Sequence, residues 1–163
     1  MRLFLPVALV AALFAGCSGG GASHEENFPV GWMERSVLDG PAYPRFKAAY
    51  DSIQIGDEFV EIIRNNVAGI QVTVFFGVWC PDSRRDVPRF LRLADLAGLP
   101  GTQVKLYSLD RSKKSGDGLT ERYGIERVPT FIFFKNGEEI GRIVETPKTT
   151  LEGDILAILA GSR

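Results

Sequence analysis

The sequence predicts an α/β domain in which helices pack on a mixed β-sheet. Three observations carry that expectation. Residues 71–76, Gln-Val-Thr-Val-Phe-Phe, form a short β-branched and aromatic run, apolar almost throughout, as suits a central strand buried on both faces. Residues 104–109 alternate apolar and polar side chains, the period of a half-buried strand. Finally, residues 130–134 and 139–144 flank Lys135-Asn136-Gly137-Glu138, and Asn-Gly between two apolar runs marks a tight hairpin.

Helical spacing fills the intervals. Residues 43–52 and 57–65 read as helices, the second with Phe59, Ile62, Ile63 and Val67 at spacings of three and four, an apolar stripe that should cover one face of the sheet. After Cys80, the residues Val87, Phe90, Leu91, Leu93, Ala94 and Leu96 keep helical spacing up to Gly98-Leu99-Pro100-Gly101. Pro88 lies inside that segment and, lacking a backbone donor, is expected to kink it. A polar loop over residues 110–118 leads to a turn or two of helix at 119–123, ended by Gly124. The last helix, 149–160, carries Leu151, Ile155, Ile158 and Leu159 on one side, with Thr149 or Thr150 as its cap. Residues 28–40 are irregular, punctuated by Pro29 and Gly31 and followed by Pro41, and read as an extension from which Trp32 and Met33 pack on the domain. The resulting order, a parallel strand pair with an antiparallel edge, is shared by several folds.

A chain of 163 residues, 45% hydrophobic and 24% charged, suits one domain of average size. A net charge of −1 leaves no basic field to hold nucleic acid or an anionic lipid surface. Membrane contact is expected instead from the N-terminus. Met1-Arg2 is followed by an apolar run over residues 3–15, too short to span a bilayer, and by Gly16-Cys17. Leu13-Phe14-Ala15-Gly16-Cys17 resembles the lipobox of bacterial lipoproteins, which implies a signal peptide over residues 1–16 and acylation of Cys17. Residues 17–27, rich in Gly and Ser, would then be a flexible tether, and residues 28–163 the folded domain with its extension. Loss of residues 1–16 removes one basic side chain, Arg2, and no acid, so the mature chain is mildly acidic. These features place the protein in the cell envelope, facing the periplasm or exterior. Ser18 behind Cys17, with no aspartate there, fits the outer membrane where one exists. His24, the only histidine, falls in the tether; no metal site and no cofactor are expected.

With Cys17 acylated, Cys80 is the one free thiol of an exported chain, so no intramolecular disulfide can form. Cys80 stands in Val74-Phe75-Phe76-Gly77-Val78-Trp79-Cys80-Pro81-Asp82-Ser83. Roughly fifty residues later comes Tyr123-Gly124-Ile125-Glu126-Arg127-Val128-Pro129-Thr130-Phe131, leading into Phe134-Lys135-Asn136-Gly137. The two segments resemble, in order, the strand and Trp-Cys-x-x-Cys loop and then the cis-proline loop and terminal hairpin of the thioredoxin family, over about residues 57–160. The resemblance implies a thioredoxin-like three-layer sandwich, a central mixed sheet with helices on both faces. It also implies a cis bond before Pro129 and the Val128 backbone beside Cys80, where a partner's extended chain can add. Trp79, Pro81, Val128, Pro129 and Thr130 would then contact the substrate.

Two departures from the family pattern bear on chemistry. Ser83 stands where the family has its second cysteine, and Val74 where many members have a buried carboxylate, so both the resolving thiol and its proton acceptor are missing. Cys80 would act alone as nucleophile, its thiolate favoured by the positive end of the following helix and by a hydrogen bond from Ser83. Arg84 and Arg85 add positive charge there and Asp82 and Asp86 oppose it. A lone thiol attacks mixed disulfides but needs an outside thiol to release it. The expected partners are therefore thiol- or disulfide-containing envelope proteins or small thiols. The alternative is a non-catalytic binding module that holds a partner peptide by Trp79 and Pro129. Monothiol glutaredoxins, some of which hold an iron–sulfur cluster, share the Cys-x-x-Ser loop, but little else here matches them; thioredoxin-fold peroxidases place a threonine and an arginine around their cysteine in a different motif.

Overall fold

The computed structural model describes residues 28–162. The apolar segment 1–16, Cys17, the tether through residue 27 and His24 lie outside the described residues. Five strands form one sheet: β1 (Gly31–Met33), β2 (Ile70–Phe76), β3 (Val104–Ser108), β4 (Thr130–Lys135) and β5 (Glu138–Val144), in the order β1-β3-β2-β4-β5. β2 and β3 run parallel; every other neighbouring pair is antiparallel. β2 has neighbours on both edges and buries all its residues except Gln71, which accounts for its nearly unbroken apolar run.

The α-helices among the described residues are α1 (Arg35–Leu38), α2 (Pro44–Ser52), α3 (Asp57–Arg64), α4 (Pro81–Ala97), α5 (Leu119–Tyr123) and α6 (Leu151–Gly161). Because successive strand residues point to opposite faces, Val74 and Phe76 enter one cluster and Phe75 the other. The larger cluster joins Val72, Val74, Phe76, Leu106 and Phe131 to Leu38 of α1, Phe46 of α2, Val60 and Ile63 of α3, Phe90 of α4, and Ile155 of α6. On the other face Phe75, Tyr107 and Ile132 meet Ile125, Val128 and Cys80, with Leu119 and Tyr123 of α5 at their margin. The three-layer sandwich of the thioredoxin-like fold is thus present, its second helical layer reduced to the five residues of α5.

Local chemistry explains the boundaries. Pro81 opens α4 at a position where its missing N–H costs nothing. Asn136 (φ 54°) and Gly137 (φ 85°) both take left-handed conformations, as the two central residues of a type I′ hairpin must. Of the two candidate caps, Thr150 does the capping: its Oγ1 accepts Gly153 N–H at 3.0 Å. Arg89 Nε donates to Glu152 Oε1 at 2.6 Å, so the one acid buried in α6 is paired across to α4.

Two sequence expectations are corrected. Residues 28–40, expected to be irregular, contain β1 and α1; Gly31, Trp32 and Met33 pair with Ser108, Tyr107 and Leu106, and the Trp32 ring meets Tyr107 edge-on at 5.0 Å. Three residues are too few to show a period. In α3 the buried residues are Val60 and Ile63, whereas Ile62 is 48% exposed; Val67 packs against the same cluster as expected, but from beyond the helix end. Over eight residues, apolar side chains on several sides fit more than one stripe, and the packing chose one rotated from that expected. Pro88 lies inside α4 as expected, and the helical run continues through it. Proline forfeits one ladder bond there, while Val87, Phe90 and Leu91 are all buried and hold both sides of it.

The extension is clamped to α4. Arg35 Nη1 and Nη2 donate to the two carboxylate oxygens of Asp95 at 2.6 and 2.5 Å, and Tyr50 also donates to Asp95. Partial burial pushes the Asp95 carboxyl up, but these hydrogen bonds and the Arg35 charge outweigh it and hold the group below the usual carboxylate range. A carboxyl depressed in the folded state adds stability that is fully present above its unfolded value of about 3.9 and is lost as pH falls through the folded one. Urea unfolding at pH 6 and pH 3 should therefore show a smaller acid loss for Asp95→Asn than for the wild type, and Asp95→Asn should be the less stable of the two at pH 6. Parallel losses would show that the clamp carries no pH-dependent stability.

Candidate active site

Strand β2 ends in a turn, Gly77-Val78-Trp79, that delivers Cys80 to the N-cap of α4. Cys80 N–H donates to Gly77 O at 3.0 Å, and Cys80 O accepts the Arg84 N–H at 3.0 Å as the first bond of the helix. Gly77 is required by close approach. A Cβ there would lie 2.6 Å from Trp79 Nε1 and 3.2 Å from Leu109 O. Without it the indole folds back over the turn and Nε1 donates to Leu109 O at 2.9 Å. Leu109 is itself fixed by its N–H bond to Phe76 O at 2.7 Å. Ser83, with no exposed surface, accepts the Gly77 N–H on its Oγ at 3.2 Å.

The second wall is the loop before β4, in which the Val128–Pro129 peptide is cis. Cys80 Sγ donates to Val128 O at 3.3 Å. Pro129 O accepts the Glu145 N–H at 2.7 Å and Thr130 Oγ1 donates to Arg127 O at 2.7 Å, so the loop is held to the residue that follows β5 on one side and to itself on the other. Below the thiol lie Phe75, Tyr107, Ile125 and Ile132. Burial pushes the Tyr107 phenol up, and the Asp117 carboxylate that accepts its hydrogen bond acts in the same direction.

The residues expected to act together are brought together, with differences in what each presents. Trp79 is half-buried and Pro81 exposed, and both border the thiol loop. Cys80 is 6% exposed, and Val128 and Pro129 are buried, so it is the backbone of that loop that faces the sulfur. Thr130, expected at the substrate, is buried and braces the loop instead. The hydroxyl of Ser83, expected to donate to the sulfur, engages Gly77, while Cys80 bonds Val128 O. Arg85 is bound by Asp82 and Asp86, which hold its guanidinium charged and balance it locally, whereas Arg84 Nη2 donates to Trp79 O at 2.8 Å. Sequence reading missed Gly77 and Leu109, which seat the Trp79 indole, and Phe28 and Arg111, which pack against its ring. Only Gly77, a glycine two residues before Trp79, carried a signal.

A single cysteine at a helix N-terminus, set against a cis-proline loop on this sheet, defines a thioredoxin-like thiol site. The family profile described as thioredoxin matches residues 42–155, and the chain belongs to the thioredoxin family. It is 30% identical over 101 residues to thioredoxin of Malassezia sympodialis, covering 61% of this chain and 89% of that one. With the H-type thioredoxin of Oryza sativa subsp. indica it shares 30% over 102 residues, covering 61% and 79%. Among solved structures, a Pseudomonas aeruginosa protein of unknown function superposes with a TM-score of 0.60 at 18% identity, over 81% of this chain and 94% of that one, a likeness of fold. Thiol–disulfide redox function is the class that this fold and family indicate.

Replacing Gly77 by alanine should push the indole off Leu109 O at a cost of roughly 1–3 kcal/mol, the range for overpacking a tight contact. On a Trp32→Phe background, Gly77→Ala should lower the unfolding midpoint and red-shift Trp79 emission. An unshifted spectrum would mean the indole does not depend on this glycine.

Proposed function

We propose that the protein is a lipid-anchored monothiol of the cell envelope that exchanges disulfides through Cys80. The observation that carries the reading is the contact of Cys80 Sγ with Val128 O at the start of α4: the one described cysteine sits where a substrate backbone entering along Val128 would bring its sulfur. In the reaction, Cys80 loses its proton and the thiolate attacks one sulfur of a mixed disulfide. A Cys80–substrate disulfide forms and the other half leaves as a thiolate. An outside thiolate then attacks that new bond, restoring Cys80 and carrying away the substrate half as a second disulfide. Ser83 cannot resolve the intermediate, so it fixes the loop through Gly77 while electrons come from outside.

A specific observation supports the alternative, a binding module that grips a partner around Trp79 and Pro129. Cys80 is nearly covered and its hydrogen is engaged, whereas among the described residues Val128 N–H has no hydrogen-bond partner and is a donor that an added strand would use.

One experiment separates the two. With the full chain, a peptide–small-thiol mixed disulfide and excess small thiol, Cys80→Ser should slow release of the peptide thiol by roughly 100-fold or more, the size expected when a covalent nucleophile is removed. Ser83→Cys should add reduction of a protein disulfide with no small thiol present, up to one equivalent per chain. If Cys80→Ser exchanges as fast as wild type, thiol chemistry is excluded and the binding reading stands. The anchor is checked separately: metabolic labelling with an alkyne fatty acid should tag the wild type and fail with Cys17→Ser, and equal labelling would sink the lipid assignment.

A further inference from the structure

Arg84 touches both peptide groups that flank the nucleophile. Its Nη2 donates to Trp79 O, the carbonyl before Cys80, at 2.8 Å, and its backbone N–H donates to Cys80 O at 3.0 Å. We propose that Arg84 is a positioning residue for the thiol: its side chain pins the Trp79–Cys80 peptide, so that Cys80 stands on a fixed backbone whose two flanking carbonyls are both engaged. The proposal rests on the thiol-exchange reading for its purpose, though the positioning itself is measurable without any exchange.

The two bonds differ in origin. The backbone bond is the first of α4, and any residue except proline at position 84 can make it. The side-chain bond needs a long side chain with a rigid donor fork, reaching back five residues over the half-buried start of the helix. Its partner peptide is held at the other end too, because Cys80 N–H donates to Gly77 O at 3.0 Å. Both polar ends of the unit before the nucleophile are therefore occupied, and it cannot rotate without breaking two bonds. Trp79 is fixed by this peptide at its backbone and by Leu109 O at its indole, 2.9 Å from Nε1.

The chemistry of the bond suits a developing thiolate. A charged donor bonds a carbonyl more strongly than a neutral one does. This bond draws charge off an oxygen of the peptide attached to the Cys80 Cα, so a thiolate formed there meets less negative potential. In the thiol form Sγ donates to Val128 O and makes no bond to the first turn of α4, which leaves the flanking peptides among the groups that meet the charge once the proton is gone. Arg85, one residue on, is placed differently. Asp82 and Asp86 take its guanidinium, and none of its hydrogen bonds goes to the loop backbone. In the sequence the two arginines look alike, as added positive charge; the fold gives Arg84 alone a bond to the thiol loop.

The test follows alkylation of Cys80 by iodoacetamide, a neutral reagent, in the full chain carrying Cys17→Ser, where Cys80 is the one thiol left. The thiolate displaces iodide and a carbon–sulfur bond forms. Arg84→Met, which keeps the stem and removes the donors, should slow the reaction roughly 3-fold or more at pH 7, and the difference should disappear at a pH that ionises the thiol in both chains. The slowing should persist in about 1 M salt, where the screening length falls to about 3 Å, because a hydrogen bond in contact is not screened. Arg84→Lys, shorter but still a charged donor, should fall between the two. Equal rates at every pH, with only a lower unfolding midpoint, would make Arg84 a structural brace and overturn the proposal. Slowing that vanishes in salt would overturn it as well, by reducing the residue to its charge. Turnover of the peptide mixed disulfide tells the two readings apart. A shifted alkylation profile in a protein that shows no turnover keeps the positioning role and sinks thiol exchange; turnover with an unshifted profile does the reverse.

Discussion

Gly77 is where strand β2, helix α4 and the Trp79 indole meet, and the placement of the thiol follows from what this residue lacks. Its carbonyl accepts Cys80 N–H, its own N–H goes to Ser83 Oγ, and the space a Cβ would fill is taken by the indole edge. Three groups from the loop and the first helical turn are therefore locked to one backbone unit. The turn cannot open without breaking a buried hydrogen bond at Ser83, and an unmade buried bond costs about 1–3 kcal/mol. The sulfur consequently projects from a fixed base toward Val128 rather than from a mobile loop.

That geometry couples chemistry to docking. A neutral thiol donates to Val128 O, but a thiolate has no hydrogen to give and must turn to donors. The first-turn N–H groups of α4 are such donors, and Cys80, standing at the N-cap, makes no side-chain capping bond with them in the thiol form. In the proposed reaction, loss of the proton therefore frees Val128 O at the moment an incoming backbone N–H needs an acceptor. The state that attacks is also the state that receives the substrate chain.

Much of this was legible in the sequence because it depends on local chemistry: the Asn136-Gly137 turn, the buried run of β2, the cysteine before a proline-started helix and the Val128-Pro129 pair each show in a few adjacent residues. What was not legible depends on partners distant in the chain. β1 has no pattern of its own and exists because Tyr107 and Leu106 offer it an edge. Ser83 and Thr130 look like exposed polar side chains in sequence, yet each is buried because a backbone group, Gly77 N–H for one and Arg127 O for the other, consumes its hydroxyl. Arg111 sits in a polar loop with nothing to mark it, and only the fold sets it over Phe28 and Trp79.

The two departures from the family pattern reinforce each other physically. Val74 is wholly buried in the larger apolar cluster, where an acid would need a partner that the cluster does not supply. Such an acid serves to take a proton from a second thiol, and with Ser83 in that place there is none to take. In the proposed exchange, a chain without internal resolution meets two molecules in turn, one carrying the disulfide and one carrying the resolving thiol. Both must reach the one described sulfur, which donates to Val128 O at 3.3 Å and is bordered by the half-buried Trp79.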